Sequence, residues 1–184
     1  MRRFTRLFPA CAVAIAVTFA PAHGQSLGQR TAGAEGQQVY KRANCVGCHK
    51  WHGDGGGGYG GAALSLRRTE LDRAQIIEAI RCGRPTTGMP YHQRDAYEGD
   101  ARSCFGTNRA ELGPQMPPAA VAFLRPSEIE AVADYVLAEI KGKGDITLSE
   151  CAKFFGQGTR MCHSFEAGAQ PLRPAGETAA TRGH

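Results

Sequence analysis

After its first two dozen residues the chain has no apolar run long enough to cross a membrane, no apolar–polar alternation of the kind that marks a β-strand, and no internal repeat. These absences argue against a membrane-spanning protein, a sandwich or barrel, and a solenoid, and leave an all-α class as the expectation. Charge of one sign is scarce too. There are 22 Lys and Arg residues against 17 Asp and Glu, and Arg2, Arg3 and Arg6 lie in a leader, so the remainder balances at 19 to 17. That balance carries no electrostatic footprint for nucleic acid or an anionic membrane. At 184 residues the chain has room for one compact core and is short for two.

The leader is read from Arg2, Arg3 and Arg6, the apolar run from Ala10 to Ala20, and the small residues Ala22 and Gly24. This is the pattern of a secretory signal peptide over residues 1–24, and it predicts export to the periplasm. Cys11 leaves with the leader, so six of the seven cysteines remain. Cys45 and Cys48 belong to a motif treated below. Cys82, Cys104, Cys151 and Cys162 form an even set in an oxidising compartment, which reads as two disulfides with three connectivities open. The local pairings, Cys82 with Cys104 and Cys151 with Cys162, are the expectation; four buried free thiols are the alternative.

Residues 25–32 read as a flexible start. From Gly33 to Asn44 the pattern is a short amphipathic helix with Gly36, Val39 and Tyr40 on one face. Seven glycines within residues 53–61 exclude a helix or strand interior and predict a loop. Asp72 and Gln75 stand at capping-box spacing ahead of Ile76, Ile77 and Ile80, and Gly83 with Pro85 ends that helix. The stretch 84–125 is long for a structureless connection and needs a tether, which a bridge from Cys82 to Cys104 would provide. In the clearest helix Ser127 and Glu130 stand at capping-box spacing, and Ile129, Val132, Ala133, Val136 and Ile140 recur at helical intervals until Gly142 and Gly144. A helical turn from Cys151 to Phe155 is expected next. Residues 167–184 read as a disordered tail, which leaves 33–166 as the folded domain.

The motif that carries chemistry is Cys45-Val46-Gly47-Cys48-His49. Two thiols at this spacing add across the vinyl groups of a haem, and the adjacent imidazole is placed to coordinate the iron. A redox dithiol would want a βαβ setting and a zinc half-site would want a second ligand pair, neither of which the chain supplies. With a helix running into this motif and a last helix after it, the sequence over residues 33–141 resembles the class I cytochrome c family. The resemblance implies an all-α domain around one covalent haem c and its iron, with long loops, and with Gly36 and Tyr40 meeting the Val132 and Tyr135 region of the last helix. One departure stands out. The family often carries Gly-Pro-x-Leu after the motif, with a backbone carbonyl holding the proximal histidine, whereas this chain reads Gly61-Ala62-Ala63-Leu64, so the acceptor for His49 is left open.

The sixth ligand has competing candidates. Met89 lies in Gly83-Arg84-Pro85-Thr86-Thr87-Gly88-Met89-Pro90, which is similar to the family's turn and ligand loop; Met116, in Gln115-Met116-Pro117-Pro118, precedes the last helix. Met89 is favoured because its segment matches continuously, and residues 91–118 then become an insertion. His92 is a third candidate, against a reading as a surface histidine beside Tyr91. Met161 and His163 fall beyond the last core helix and read as structural or exposed. Trp51, Tyr59 and Phe105 could line a haem edge or simply pack, and Arg81, Arg84 and Lys50 could steer an acidic partner or only be solvated.

The expected role is a one-electron carrier between periplasmic redox proteins, not an enzyme, with Cys45, Cys48, His49 and Met89 holding the haem and His49 and Met89 the iron. The four further cysteines, Gly88-Met89-Pro90 and Phe154-Phe155-Gly156 look like a four-cysteine cytochrome group associated with methanol metabolism. That likeness implies a pyrroloquinoline-quinone (PQQ) alcohol dehydrogenase, a quinoprotein, as electron donor, and a terminal oxidase or another cytochrome as acceptor. An open-site haem protein, a peroxidase or gas binder, is one alternative reading; a docking haem subunit of a dehydrogenase is the other.

Overall fold

The computed structural model describes residues 27–56, 63–99 and 101–165, with side chains from Gly33 onward. The expected signal peptide, the tail 167–184 and Tyr59 lie outside the described residues. Among those described there is no strand, only isolated bridges between Tyr91 and Ala119 and between Cys104 and Thr107.

The first helix, α1 (Leu27–Arg42), starts earlier than the expected Gly33 and takes in residues 27–32, where a flexible start is the sequence expectation. Gln29, Arg30 and Ala32 are good helix formers, so the helix propagates backward from its packed half. That packed half carries Val39 and Tyr40, each 1 % exposed. It lies against α5 (Pro126–Tyr135), whose buried face is Ile129, Val132, Ala133 and Tyr135. Full burial of each large apolar side chain here contributes about 2 kcal/mol. Gly36 makes the crossing close. A Cβ at residue 36 would lie 2.2 Å from the Ala131 carbonyl oxygen and 2.5 Å from Tyr135 Cβ, so only glycine fits. The rings of Tyr40 and Tyr135 then pack with centroids 5.6 Å apart. The meeting of Gly36 and Tyr40 with the last helix is thus realised.

The third helix, α3 (Arg73–Cys82), begins with the expected capping box: Gln75 N donates to Asp72 Oδ1 and Asp72 N to Gln75 Oε1, both at 2.9 Å. Ile76 and Ile80 are buried as expected; Ile77 is only half-buried and Ala79 takes the remaining inward position. The start of α5 differs from the Ser127–Glu130 box expected from the sequence. Pro126 occupies the first turn, Arg125 is the N-cap, and Glu128 reaches back to accept from Arg125 N at 2.8 Å. Proline's fixed φ and missing N–H suit the first helical position, which moves the cap two residues upstream. Beyond Tyr135 the helix closes in a π turn, Val136–Ile140, with Lys141 N donating to Val136 O at 2.8 Å.

Both local disulfides are present, Cys82–Cys104 and Cys151–Cys162, with Cα atoms 5.6 and 5.7 Å apart. The first anchors the insertion 91–118 as a second small core of Cys82, Tyr91, Ala96, Tyr97, Cys104 and Leu112, which includes the short helix α4 (Arg109–Leu112). The insertion is closed at its base, where Tyr91 N donates to Pro118 O and Ala120 N to Tyr91 O, both at 3.0 Å. The second disulfide staples α6 (Leu148–Phe155) to a 3-10 turn, Arg160–Phe165.

Candidate haem-binding site

The motif forms one helical turn, α2 (Cys45–His49), set off from α1 by Asn44 in the left-handed region and ended by Lys50, also at positive φ. The Tyr40 hydroxyl donates to Lys50 O at 2.8 Å, so the α1 face that packs on α5 also fixes where the motif ends. Cys45 and Cys48 are half-buried and neither is in a disulfide. Burial pushes the Cys45 thiol up to about 12, a backbone hydrogen bond opposing the shift and Cys48 adding to it.

His49 is held by a backbone acceptor that its sequence context left open: Nδ1 lies 3.3 Å from the Leu64 carbonyl oxygen. Burial lowers its pKa, the Leu64 contact opposing. A neutral ring that donates from Nδ1 has its Nε2 lone pair available to a metal. Leu64 itself is 78 % exposed beside this imidazole. Two free thiols on the helical turn that ends in this imidazole fit covalent attachment of a haem, the thiols to its vinyl groups and the imidazole to its iron.

The methionines part company. Met89 packs against the main core cluster, which Cys45, Val46 and Trp51 also border, whereas Met116 packs against the second core around Cys82–Cys104. The Met89 loop is tightly made. Gly83 sits at φ 67°, and a Cβ there would lie 2.7 Å from the Met89 carbonyl oxygen. Arg84 N donates to Met89 O at 3.1 Å, and Met89 N to Thr87 Oγ1 at 3.2 Å.

His92, the third candidate, is no surface residue: it is 6 % exposed, and its Nδ1 lies 3.3 Å from Ala122 O. Its backbone N donates to Ile80 O and its carbonyl accepts from Leu124 N, so it serves as a joint between α3, the insertion and the entry to α5. Met161 and His163 are exposed. Trp51 packs in an aromatic group with His52, Phe154, Phe155 and Phe165 at centroid distances of 5.1–5.9 Å. Phe105 is partly exposed on the insertion. Arg81 donates to Ser103 O, which makes it a brace between α3 and the insertion.

Two features of the site carry no signal in the sequence. The Leu64 carbonyl is a backbone group that any residue would supply, and Arg67 resembles one more surface charge although it is 6 % exposed. Among the described residues no helix is long and apolar enough to cross a membrane.

A helical domain that presents two free thiols and an imidazole on one turn, with the imidazole held by a backbone carbonyl, has what a covalently attached haem requires and defines the class of c-type haem proteins. The family model described as Cytochrome c matches residues 33–138, and the chain belongs to that family. It is accordingly a haem protein with covalently bound haem c and its iron, in a domain typical of electron carriers that exchange electrons with redox-protein partners. No curated protein and no solved structure matches the chain.

Proposed function

We propose that the chain is a periplasmic carrier of one electron, exported by the leader 1–24. In this reading Cys45 and Cys48 would hold the haem covalently, and His49 Nε2 and Met89 Sδ would be the donors to its iron. Haem c, when bound, supplies a one-electron ferric/ferrous couple. The protein's part is to position and insulate. The Leu64 carbonyl accepts from His49 Nδ1 and so orients the ring and makes it a better donor. The Gly83 turn and the Thr87 contact set the reach of Met89. The core of Val39, Tyr40, Ile76, Ile80 and Val132 backs Met89 and the Cys45–Val46 turn and keeps water away.

The observation that carries this assignment is that Met89 shares the cluster bordered by Cys45 and Val46, while Met116 belongs to the other. The finer role is acceptor for a PQQ alcohol dehydrogenase. It is supported by two local disulfides around a single-haem core together with Gly88-Met89-Pro90 and Phe154-Phe155-Gly156.

The test is the ferric absorption spectrum of haem-loaded wild type, Met89→Ala and Met116→Ala, read at the weak red-edge band of methionine-to-iron ligation. Loss only in Met89→Ala is expected; loss only in Met116→Ala moves the ligand. Carbon monoxide binding by reduced wild type that lacks the band would overturn the carrier reading in favour of an open site. The partner is tested separately by mixing the oxidised protein with a substrate-reduced PQQ alcohol dehydrogenase and following haem reduction.

A further inference from the structure

Resting on the reading of His49 as an axial ligand, we propose that Arg67 is a positioning residue for that histidine, and that it couples the ligand to the disulfide-stapled C-terminal segment. Leu64, whose carbonyl faces His49, lies in a short segment after the glycine-rich run 53–61. Glycines bring no side chains with which to pack, so the placement of Leu64 rests on other groups. Two backbone bonds contribute, Gly56 N to Ala63 O at 3.0 Å and Leu66 N to Gly53 O at 2.7 Å. Arg67 follows directly and anchors the segment.

The Arg67 guanidinium is buried, with 5 % of its side chain exposed. It donates from Nη1 to His52 O at 3.2 Å and from Nε to Gly144 O at 3.0 Å. Nη2 reaches Gly144 O, Asp145 O and, at 3.2 Å, Glu150 Oε1. The Arg67 carbonyl in turn accepts from Gly142 N at 2.9 Å. One planar cation therefore joins His52, which follows the haem motif, to Gly144, Asp145 and Glu150, which lie beyond the family match ending at residue 138.

That C-terminal segment is itself firmly held. Glu150 is the capping-box partner of Thr147, whose N donates to Glu150 Oε2 at 2.9 Å, and the neighbouring Cys151 is bonded to Cys162. Phe154, Phe155 and Phe165 pack on Trp51 from the same segment. The stretch around His49 is thus clamped from both sides, by aromatic packing at Trp51 and by the forked hydrogen bonds of Arg67. An ammonium cannot reproduce that fork, although it keeps the charge.

The test uses the haem-loaded protein and reads three quantities: hydrogen exchange of the His49 ring N–H by NMR in the ferrous state, the reduction potential, and thermal unfolding. Arg67→Lys is expected to speed His49 ring N–H exchange at least tenfold and to raise the potential, because a ring that loses its acceptor is a poorer donor to ferric iron. Glu150→Gln, which keeps the capping box, is expected to shift both in the same direction by less. A folded Arg67→Lys protein that is less heat-stable, yet has wild-type exchange and potential, would make Arg67 a merely structural clamp and overturn the proposal. If Arg67→Lys does not fold, wild-type exchange and potential in Glu150→Gln would overturn the coupling. Absence of a haem-shifted His49 ring signal in wild type would be a different failure, that of the ligand reading itself.

Discussion

Gly36 and Glu128 illustrate how single residues set this domain. Replacing Gly36 by alanine would gain about 1 kcal/mol of helix propensity. It would also put a Cβ 2.2 Å from a backbone oxygen of α5, which cannot rotate away. The clash wins, because α1 and α5 must separate and unpack Tyr40 from Tyr135. Gly36→Ala is expected to lose about 2 kcal/mol net and about 6 °C in Tm, measured by thermal unfolding. Glu128 accepts from the Arg125 side chain and backbone and from Arg42, and these contacts hold its carboxyl at about 2. The folded value lies below the unfolded one of about 4.3, so the stabilisation is complete above that value and is lost as pH falls toward 2. Both arginines are largely solvated, so the gain is modest. Glu128→Gln is expected to cost about 1 kcal/mol at neutral pH in denaturant titrations, with the gap to wild type closing by about pH 2.

The elements are legible in the sequence to the extent that their signals are local. The box at Asp72 and Gln75, the stop at Gly83 and the helical period of Ile129, Val132 and Val136 involve residues within a few positions of one another. The start of α5 is harder to place because Arg125 is no capping residue by type, and the conformation of Pro126 decides in favour of Glu128 capping the Arg125 N–H. The early start of α1 is hidden because its polar residues carry no apolar period, although they propagate a helix well. The 83–89 loop stands out in the sequence as a unit. Its closure depends on a carbonyl that Gly83 lets approach, which ties the loop to the end of α3.

For the whole molecule, the two disulfides have different roles. Cys82–Cys104 spans 22 residues and holds the insertion against the base of the Met89 loop; Cys151–Cys162 spans 11 and holds the segment that Arg67 grips. Replacing either pair by alanines is expected to cost about 3 kcal/mol, the longer loop slightly more. In the Cys82→Ala, Cys104→Ala protein the red-edge band is expected to fade at a lower denaturant concentration than the far-UV helix signal, whereas in the Cys151→Ala, Cys162→Ala protein the two transitions are expected to coincide. Coincident transitions in both proteins would show that the first disulfide does not support the ligand loop.

By itself the sequence determined the all-α class, the helical periods and the Cys-x-x-Cys-His motif, because each is written in residues a few positions apart. It also narrowed the cysteine pairing to three arrangements. Only the tertiary structure decided that Leu64 supplies the acceptor for His49, that Met89 and Met116 join different cores, and that the Arg67 charge is matched by Glu150. The reason is separation along the chain: His49 meets a carbonyl 15 residues away and Arg67 a carboxylate 83 residues away, and long-range hydrogen bonds of the 63–67 loop, not any local pattern, bring such groups together.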